Sequence, residues 1–239
     1  MFGLGYITMK ASSAHIVKRR SEWDYNANKY PDLCGMVGRP ISNLEFSFLI
    51  QDIKEKLKID SAIKNGRFLD IGCGNGFLFS KIKNGMTPIG IDFSFPMIKK
   101  SFEIVPDGSF FIGEASSLPF DDSIFDRVLC YSVFHYFPDE KYAENTINEM
   151  IRVCKKGGYI MIGDIPSSKS RDMLSEKELI SYSRQDRPGI HRIDEWLFYD
   201  LETLSNIIED SKCTSQILSQ PKELKTSHYR FDIVVKKNE

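Results

Sequence analysis

The chain has 239 residues, with 32 Lys and Arg against 33 Asp and Glu, so it can bury one substantial α/β core and carries no overall basic field of the kind that drives non-specific nucleic-acid binding. Its five cysteines are scattered, without a C-x-x-C pair, which argues against a disulfide framework and for a reducing, cytoplasmic setting. No stretch reaches the ~20 apolar residues of a membrane span, and the mildly apolar start from Met1 to Met9 has no basic residue before it and is cut short by Lys10.

In chain order, residues 1–42 form an N-terminal segment of uncertain order, expected as a lid over a site. Apolar residues at Leu44, Phe48, Leu49, Ile53 and Leu57 recur at the helical period and predict a helix from Asn43 to about Ile59, with Asn43 as N-cap. After the Asn65-Gly66 turn, the run Phe68-Leu69-Asp70-Ile71 reads as a buried strand that opens into Gly72-Cys73-Gly74-Asn75-Gly76, followed by a helix to about Ile82. Asn84-Gly85 ends that helix, and Pro88 to Asp92 is the second strand of a β-α-β unit. Ser94 to Phe102 reads as the next helix, Ser109 to Gly113 as strand three and Arg127 to Tyr131 as strand four. A helix from Glu140 to Cys154, closed by Lys155-Lys156-Gly157-Gly158, precedes strand five, Tyr159 to Gly163.

Residues 165–199 break this rhythm. They are polar, carry Pro166, Pro188 and Gly189, and read as a cap-like insertion with one helix near Asp172 to Ser183. A helix from Leu201 to Glu209 and two closing strands, Thr214 to Leu218 and Phe231 to Val235, complete residues 43–239. Strands alternating with helices imply a parallel sheet with right-handed crossovers, covered on both faces.

The glycine loop carries the chemistry. Glycine tolerates φ > 0 and lets backbone approach a ligand, and the helix that starts near Gly76 aims N–H groups at that ligand. A dinucleotide loop has G-x-G-x-x-G spacing; here the spacing is G-x-G-x-G, Phe77 stands where the last glycine would be, and Asp70 precedes the loop. Asp92 ends strand two at the distance where an acid accepts from ribose hydroxyls.

With Asp70, Gly72, Gly74 and Gly76, the segment resembles motif I of the class I S-adenosylmethionine-dependent methyltransferases. The resemblance implies a Rossmann-like three-layer sandwich with a seven-stranded, mostly parallel sheet whose last strand is antiparallel. It implies S-adenosyl-L-methionine as methyl donor and S-adenosyl-L-homocysteine as product. It assigns the cofactor's ammonium to Asp70, its methionine part to the loop Gly72, Cys73, Gly74 and Gly76, its ribose to Asp92 and its adenine to Phe93 and to Glu114 and Ala115, although the family more often has Asp where Glu114 stands. Ser132 and the residues after strand four are expected to border the sulfur.

His135 is a candidate general base for an acceptor hydroxyl, against a role in packing, and Tyr25 is a candidate contact near the methyl group. Trp23, Tyr30, Trp196, Phe198 and Tyr199 are further candidates for the pocket wall. The Asn/Asp-Pro-Pro-Tyr/Phe stretch of base and glutamine methyltransferases is missing, Ser132-Val133-Phe134-His135 standing instead, so a small-molecule acceptor is expected and no nucleic-acid partner. Asp164 stands alone after strand five and His191 with Glu195 makes too few ligands, so no metal is expected. The arginines of the insertion, offset by Asp172, Glu176, Glu178 and Asp186, read first as a solvated mixed-charge surface; facing the cleft, they would suit an anionic acceptor. The run His228-Tyr229-Arg230-Phe231-Asp232 resembles endings of methyltransferases of surface-carbohydrate synthesis, which implies a sugar or other anionic metabolite methylated at O or N. The competing readings are a non-catalytic cofactor-binding regulator and a nicotinamide-dependent oxidoreductase.

Overall fold

A computed structural model describes residues 13–30, 32–37, 41–59, 65–176, 178–179 and 193–239. Its elements run α1 (Ala14–Lys29), α2 (Leu33–Met36), α3 (Asn43–Lys56), β1 (Arg67–Ile71), α4 (Phe77–Ile82), β2 (Thr87–Asp92), α5 (Phe95–Ile104), β3 (Ser109–Ile112), β4 (Phe125–Tyr131), α6 (Glu140–Val153), β5 (Cys154–Pro166), α7 (Leu201–Glu209), β6 (Cys213–Ser219) and β7 (Arg230–Lys237).

The strands form one seven-stranded sheet in the order β3-β2-β1-β4-β5-β7-β6. β1 pairs in parallel with β2 and β4, and β7 lies antiparallel between β5 and β6, which is the expected topology. The chain winds outward from β1 to β3 and then crosses back to β4, so the switch point falls between β1 and β4, where an open α/β sheet leaves its ligand crevice. Alternation along the strands feeds two cores. Leu69 and Ile71 of β1 join Val128 and Cys130 of β4 under α6 and α7, while Phe68, Leu129 and Tyr131 face α3 and α4.

Local signals explain most boundaries. The first turn of α3 is held by Ser42, not Asn43: Ser42 Oγ accepts from the Glu45 amide while the Glu45 carboxylate accepts from the Ser42 amide. This capping box displaces the expected N-cap by one residue, because the Ser-x-x-Glu pair satisfies two amides at once. Asn84 and Gly85, at φ 42° and 79°, stop α4 in left-handed conformations. β5 is longer than the sequence predicts. Cys154 already pairs with Phe125, and Ile165 and Pro166 pair with Phe231 and Arg230 beyond an irregularity at Asp164, so the polar insertion leaves the sheet only at Ser167. Where the sequence predicts one helix from about Asp172 to Ser183, residues Ser168–Met173 form 3-10 turns and helix appears at Glu176, after a capping pair of Ser175 and Glu178; residues 177 and 180–183, and Arg184, Arg187, His191 and Arg192 beyond them, lie outside the described residues.

Candidate active site

The loop after β1 is built from backbone that only glycine takes without strain. Gly72, Gly74 and Gly76 sit at φ 72°, 52° and 75°. A Cβ on Gly72 would lie 2.5 Å from Cγ2 of Val133, so the loop passes directly against the residues that follow β4. The Gly72 amide donates to the Ile91 carbonyl at 2.8 Å, which ties the loop to the end of β2.

Asp92 is the hinge between the two. One carboxylate oxygen accepts from the Gly74 amide and the other from the Ser94 amide, both at 2.9 Å. Burial pushes the carboxyl up to about 6, against those amide bonds and with the charge of Asp24 adding to the rise. Asp70 is buried as well, and burial, followed by the charge of Asp92, raises it well above the usual carboxylate range. Burial also raises the Cys73 thiol, with both aspartates adding to it. Two buried carboxylates in one cavity favour a ligand that brings a cation and hydroxyl donors, because such a ligand removes the cost of ionising them.

One cavity collects these groups. Asp70, Gly72, Cys73, Gly74, Asp92 and Phe93 line it, joined on the far side by Glu114, Ala115 and Ser132. Nine of the ten residues that the resemblance assigns to the cofactor therefore share one space. Gly76 stands a step behind it, where a Cβ would press on Ser101 of α5. Phe77, the residue in place of the dinucleotide glycine, lines the cavity and stacks on Phe46 of α3 with ring centroids 4.9 Å apart. Glu114 receives the Tyr142 hydroxyl at 3.4 Å and lies 3.8 Å from Arg20.

The sequence predicts a lid in residues 1–42 but no helix there. α1 lies across the cavity and contributes Ile16 and Trp23 to its lining, and α2 follows with Cys34 and Val37 close by. Asn75, fully buried, holds that segment down by donating to the Leu33 carbonyl at 2.9 Å and accepting from the Phe77 amide. The one signal in the sequence was Trp23, an aromatic in a polar helix; the hydrogen bond from Ser94 to Asp24 at 2.6 Å has no local signature.

Two expected site residues sit elsewhere. Tyr25 is 54% exposed on the outer face of α1, beneath Lys29, because two positions of helix rotate a side chain by more than half a turn away from Trp23. His135 is buried behind the cavity wall in the turn Phe134–Tyr136, against Trp196 and Tyr136. Arg230 Nη1 lies 3.4 Å from His135 Nδ1. A guanidinium only donates, so Nδ1 accepts from Arg230 there.

Around His135 the wall is cationic and aromatic. Arg230, 3% exposed, donates to Asp164 at 2.8 Å and stacks over Trp196 at 4.7 Å. Arg19, 1% exposed, pairs with Glu22 and Glu195 and lies over Tyr136. Of the remaining aromatic candidates, Tyr199 is buried with its hydroxyl on the Phe134 carbonyl, and Phe198 stacks under Arg171. No group of three metal-ligating side chains occurs among the described residues, and no described helix is long and apolar enough to cross a membrane.

Comparison with known proteins agrees with this geometry. Residues 69–162 match the methyltransferase domain family. The chain is 30% identical over 112 residues to a tRNA (carboxymethyluridine(34)-5-O)-methyltransferase of Arabidopsis thaliana, covering 44% of this chain and 25% of that protein. It is 31% identical over 105 residues to a phosphatidylethanolamine N-methyltransferase of Cereibacter sphaeroides, covering 41% and 50%. The chain thus matches half or less of the length of these curated relatives. Among solved structures, phosphoethanolamine N-methyltransferase 1 of Haemonchus contortus superposes with a TM-score of 0.70 at 17% identity, over 97% of this chain and 51% of that one. The N-methyltransferase NodS of Bradyrhizobium japonicum superposes at 0.66 with 14% identity, over 93% and 99%; likenesses this distant speak for the fold. Residues 69–162 thus carry a methyltransferase domain, set in a seven-stranded sheet with antiparallel β7 that has the Rossmann-like methyltransferase fold.

Proposed function

We propose that the protein transfers a methyl group from S-adenosyl-L-methionine to a small-molecule acceptor. The observation that carries this reading is the pairing of Asp70 and Asp92, two buried carboxylates in one cavity with the glycine loop. Asp70 holds the ammonium, Asp92 accepts from the ribose hydroxyls, and the loop backbone from Gly72 to Gly76 with Cys73 runs along the methionine part. Phe93 and Ala115 pack at the adenine, with Glu114 accepting from its amino group, and Ser132 lies toward the sulfur. The sulfonium is an activated leaving group, so the acceptor's lone pair displaces it in line and the protein's part is alignment, worth up to ~7–11 kcal/mol in favourable systems.

Residues 1–42 act as a lid in this reading, and the insertion after β5 walls the acceptor side. Support for a small acceptor comes from α1, which roofs the cavity, and from a formal net charge of −1. The nucleic-acid alternative rests on the relatives named as tRNA methyltransferases. Arg19 and Arg230 beside the wall are paired with carboxylates, so neither favours an anionic metabolite over a neutral acceptor. Titration calorimetry with S-adenosylhomocysteine tests the donor: saturable binding is expected, and a loss of a hundredfold or more, roughly two hydrogen bonds to a charged group, in Asp92→Ala. Binding that Asp92→Ala leaves unchanged overturns the assignment. Label transfer from the donor to a metabolite extract and to bulk tRNA separates the two acceptor classes.

A further inference from the structure

The hydrogen bonds of Asp92 do not end at the cavity. Its carboxylate accepts from the Gly74 amide and from the Ser94 amide, and the Ser94 hydroxyl donates onward to Asp24 of α1 at 2.6 Å. Ser94 is also the N-cap of α5, where its oxygen accepts from the Met97 amide. A chain of contacts thus runs from the glycine loop, through the carboxylate assigned to the ribose, into the roof.

The other end of the same helix is fastened to the opposite wall. His15 Nε2 donates to the Tyr136 carbonyl at 2.9 Å, Lys18 pairs with Glu195 at 2.7 Å, and Arg19 donates to the Glu195 carbonyl at 3.0 Å and pairs with its carboxylate. Trp23 packs edge-on against Tyr136 between the two ends, with ring centroids 5.5 Å apart. α1 spans 16 residues, about 24 Å at 1.5 Å per residue, and its interior hydrogen bonds make it move as one piece.

We propose that α1 is a two-ended clasp: Asp24, a positioning residue acting through Ser94, draws the helix down when the cofactor occupies Asp92, and the same movement seats His15, Lys18 and Arg19 on the acceptor-side wall. Binding at the cofactor end then orders the wall formed by Tyr136 and Glu195, and an acceptor that orders that wall slows cofactor release, since coupling of this kind is reciprocal. The inference rests on the proposed role of Asp92 and adds a residue, a direction and a partner wall to it.

Hydrogen-exchange mass spectrometry on the full chain, with and without saturating S-adenosylhomocysteine, tests the clasp. Bound ligand is expected to slow exchange along all of α1, including the turn from His15 to Arg19, which touches the acceptor-side wall. In Asp24→Ala that distal protection is expected to vanish and ligand dissociation to quicken roughly ten- to hundredfold, the range for losing a hydrogen bond to a charged group. Asp24→Asn retains an acceptor for the Ser94 hydroxyl and is expected to keep most of both effects. Ligand that binds without protecting the His15 to Arg19 turn overturns the clasp alone, as does unchanged dissociation from Asp24→Ala. Ligand that does not bind at all overturns the proposed function and the clasp with it.

Discussion

The two walls of the cavity solve the problem of buried charge in opposite ways. On the β1-β2 side, the Asp92 carboxylate accepts from backbone amides, Asp70 is buried in the same cavity, and both are held above their usual range by burial. On the β4-β5 side, Arg230 and Arg19 are guanidiniums paired with carboxylates and stacked on aromatic rings. A wall left short of cations is a wall made for a cationic ligand, whereas a paired wall is complete before any ligand arrives. The first wall is therefore read as a binding surface and the second as a frame that sets shape.

The largest effect that sharpens this contrast is on stability. Arg230→Met leaves the Asp164 carboxylate buried without its guanidinium, which should cost about 3–5 kcal/mol, read as a lower denaturation midpoint, with S-adenosylhomocysteine affinity retained wherever the variant stays folded. A large loss of cofactor affinity at constant stability would erase the distinction between the walls. Next comes Gly72→Ala, where a Cβ would meet Val133 at 2.5 Å and the backbone holds φ at 72°. It should weaken cofactor binding on the order of tenfold or more, from a strain of about 1–3 kcal/mol, and a companion Val133→Ala should recover only the part due to the clash.

The pH response distinguishes the walls at smaller amplitude. Asp92 titrates near 6 in the folded chain against a reference of 3.8, so the folded state binds the extra proton. Its contribution to stability is present below pH 4 and is lost as pH rises through about 6. Binding of a ribose hydroxyl needs the charged form, so affinity for S-adenosylhomocysteine should fall as pH drops below about 6, by no more than tenfold per pH unit for one group, and Asp92→Asn should flatten that dependence. The smallest effect expected is at Tyr25. Exposed on the outer face of α1, it should tolerate alanine within about 0.5 kcal/mol, with unchanged cofactor affinity; a marked loss would return it to the site.

Much of the first wall was legible because its signals are local. Asp70, the three glycines and Asp92 lie at strand ends and in a turn, where residue type and backbone conformation are tied together. Glu114 and Ala115 came from the family resemblance, and Ser132 from its place at the carboxyl end of strand four. The roof and the second wall were harder to read for a plain reason. Asp24 meets Ser94 across 70 positions, and Arg230 meets His135 across 95, so neither contact leaves a periodic or turn pattern. Tyr25 and Trp23 differ only in the face of a short helix they occupy, and α1 has no broad apolar stripe to reveal that face. His135 follows strand four as a base would, and only its surroundings show it pointing at a guanidinium.

By itself the sequence determined the alternation of strands and helices, the glycine loop, and the two acids beside it, because these depend on propensities and turn geometry within a few residues. Tertiary structure alone decided that β5 runs on to Pro166, that α1 is fastened through Asp24 and Arg19, and that His135 is buried against Arg230, Trp196 and Tyr136. Those outcomes depend on which distant groups share a dry interior, where an unpaired charge costs several kcal/mol and partners are chosen by space rather than by neighbours along the chain.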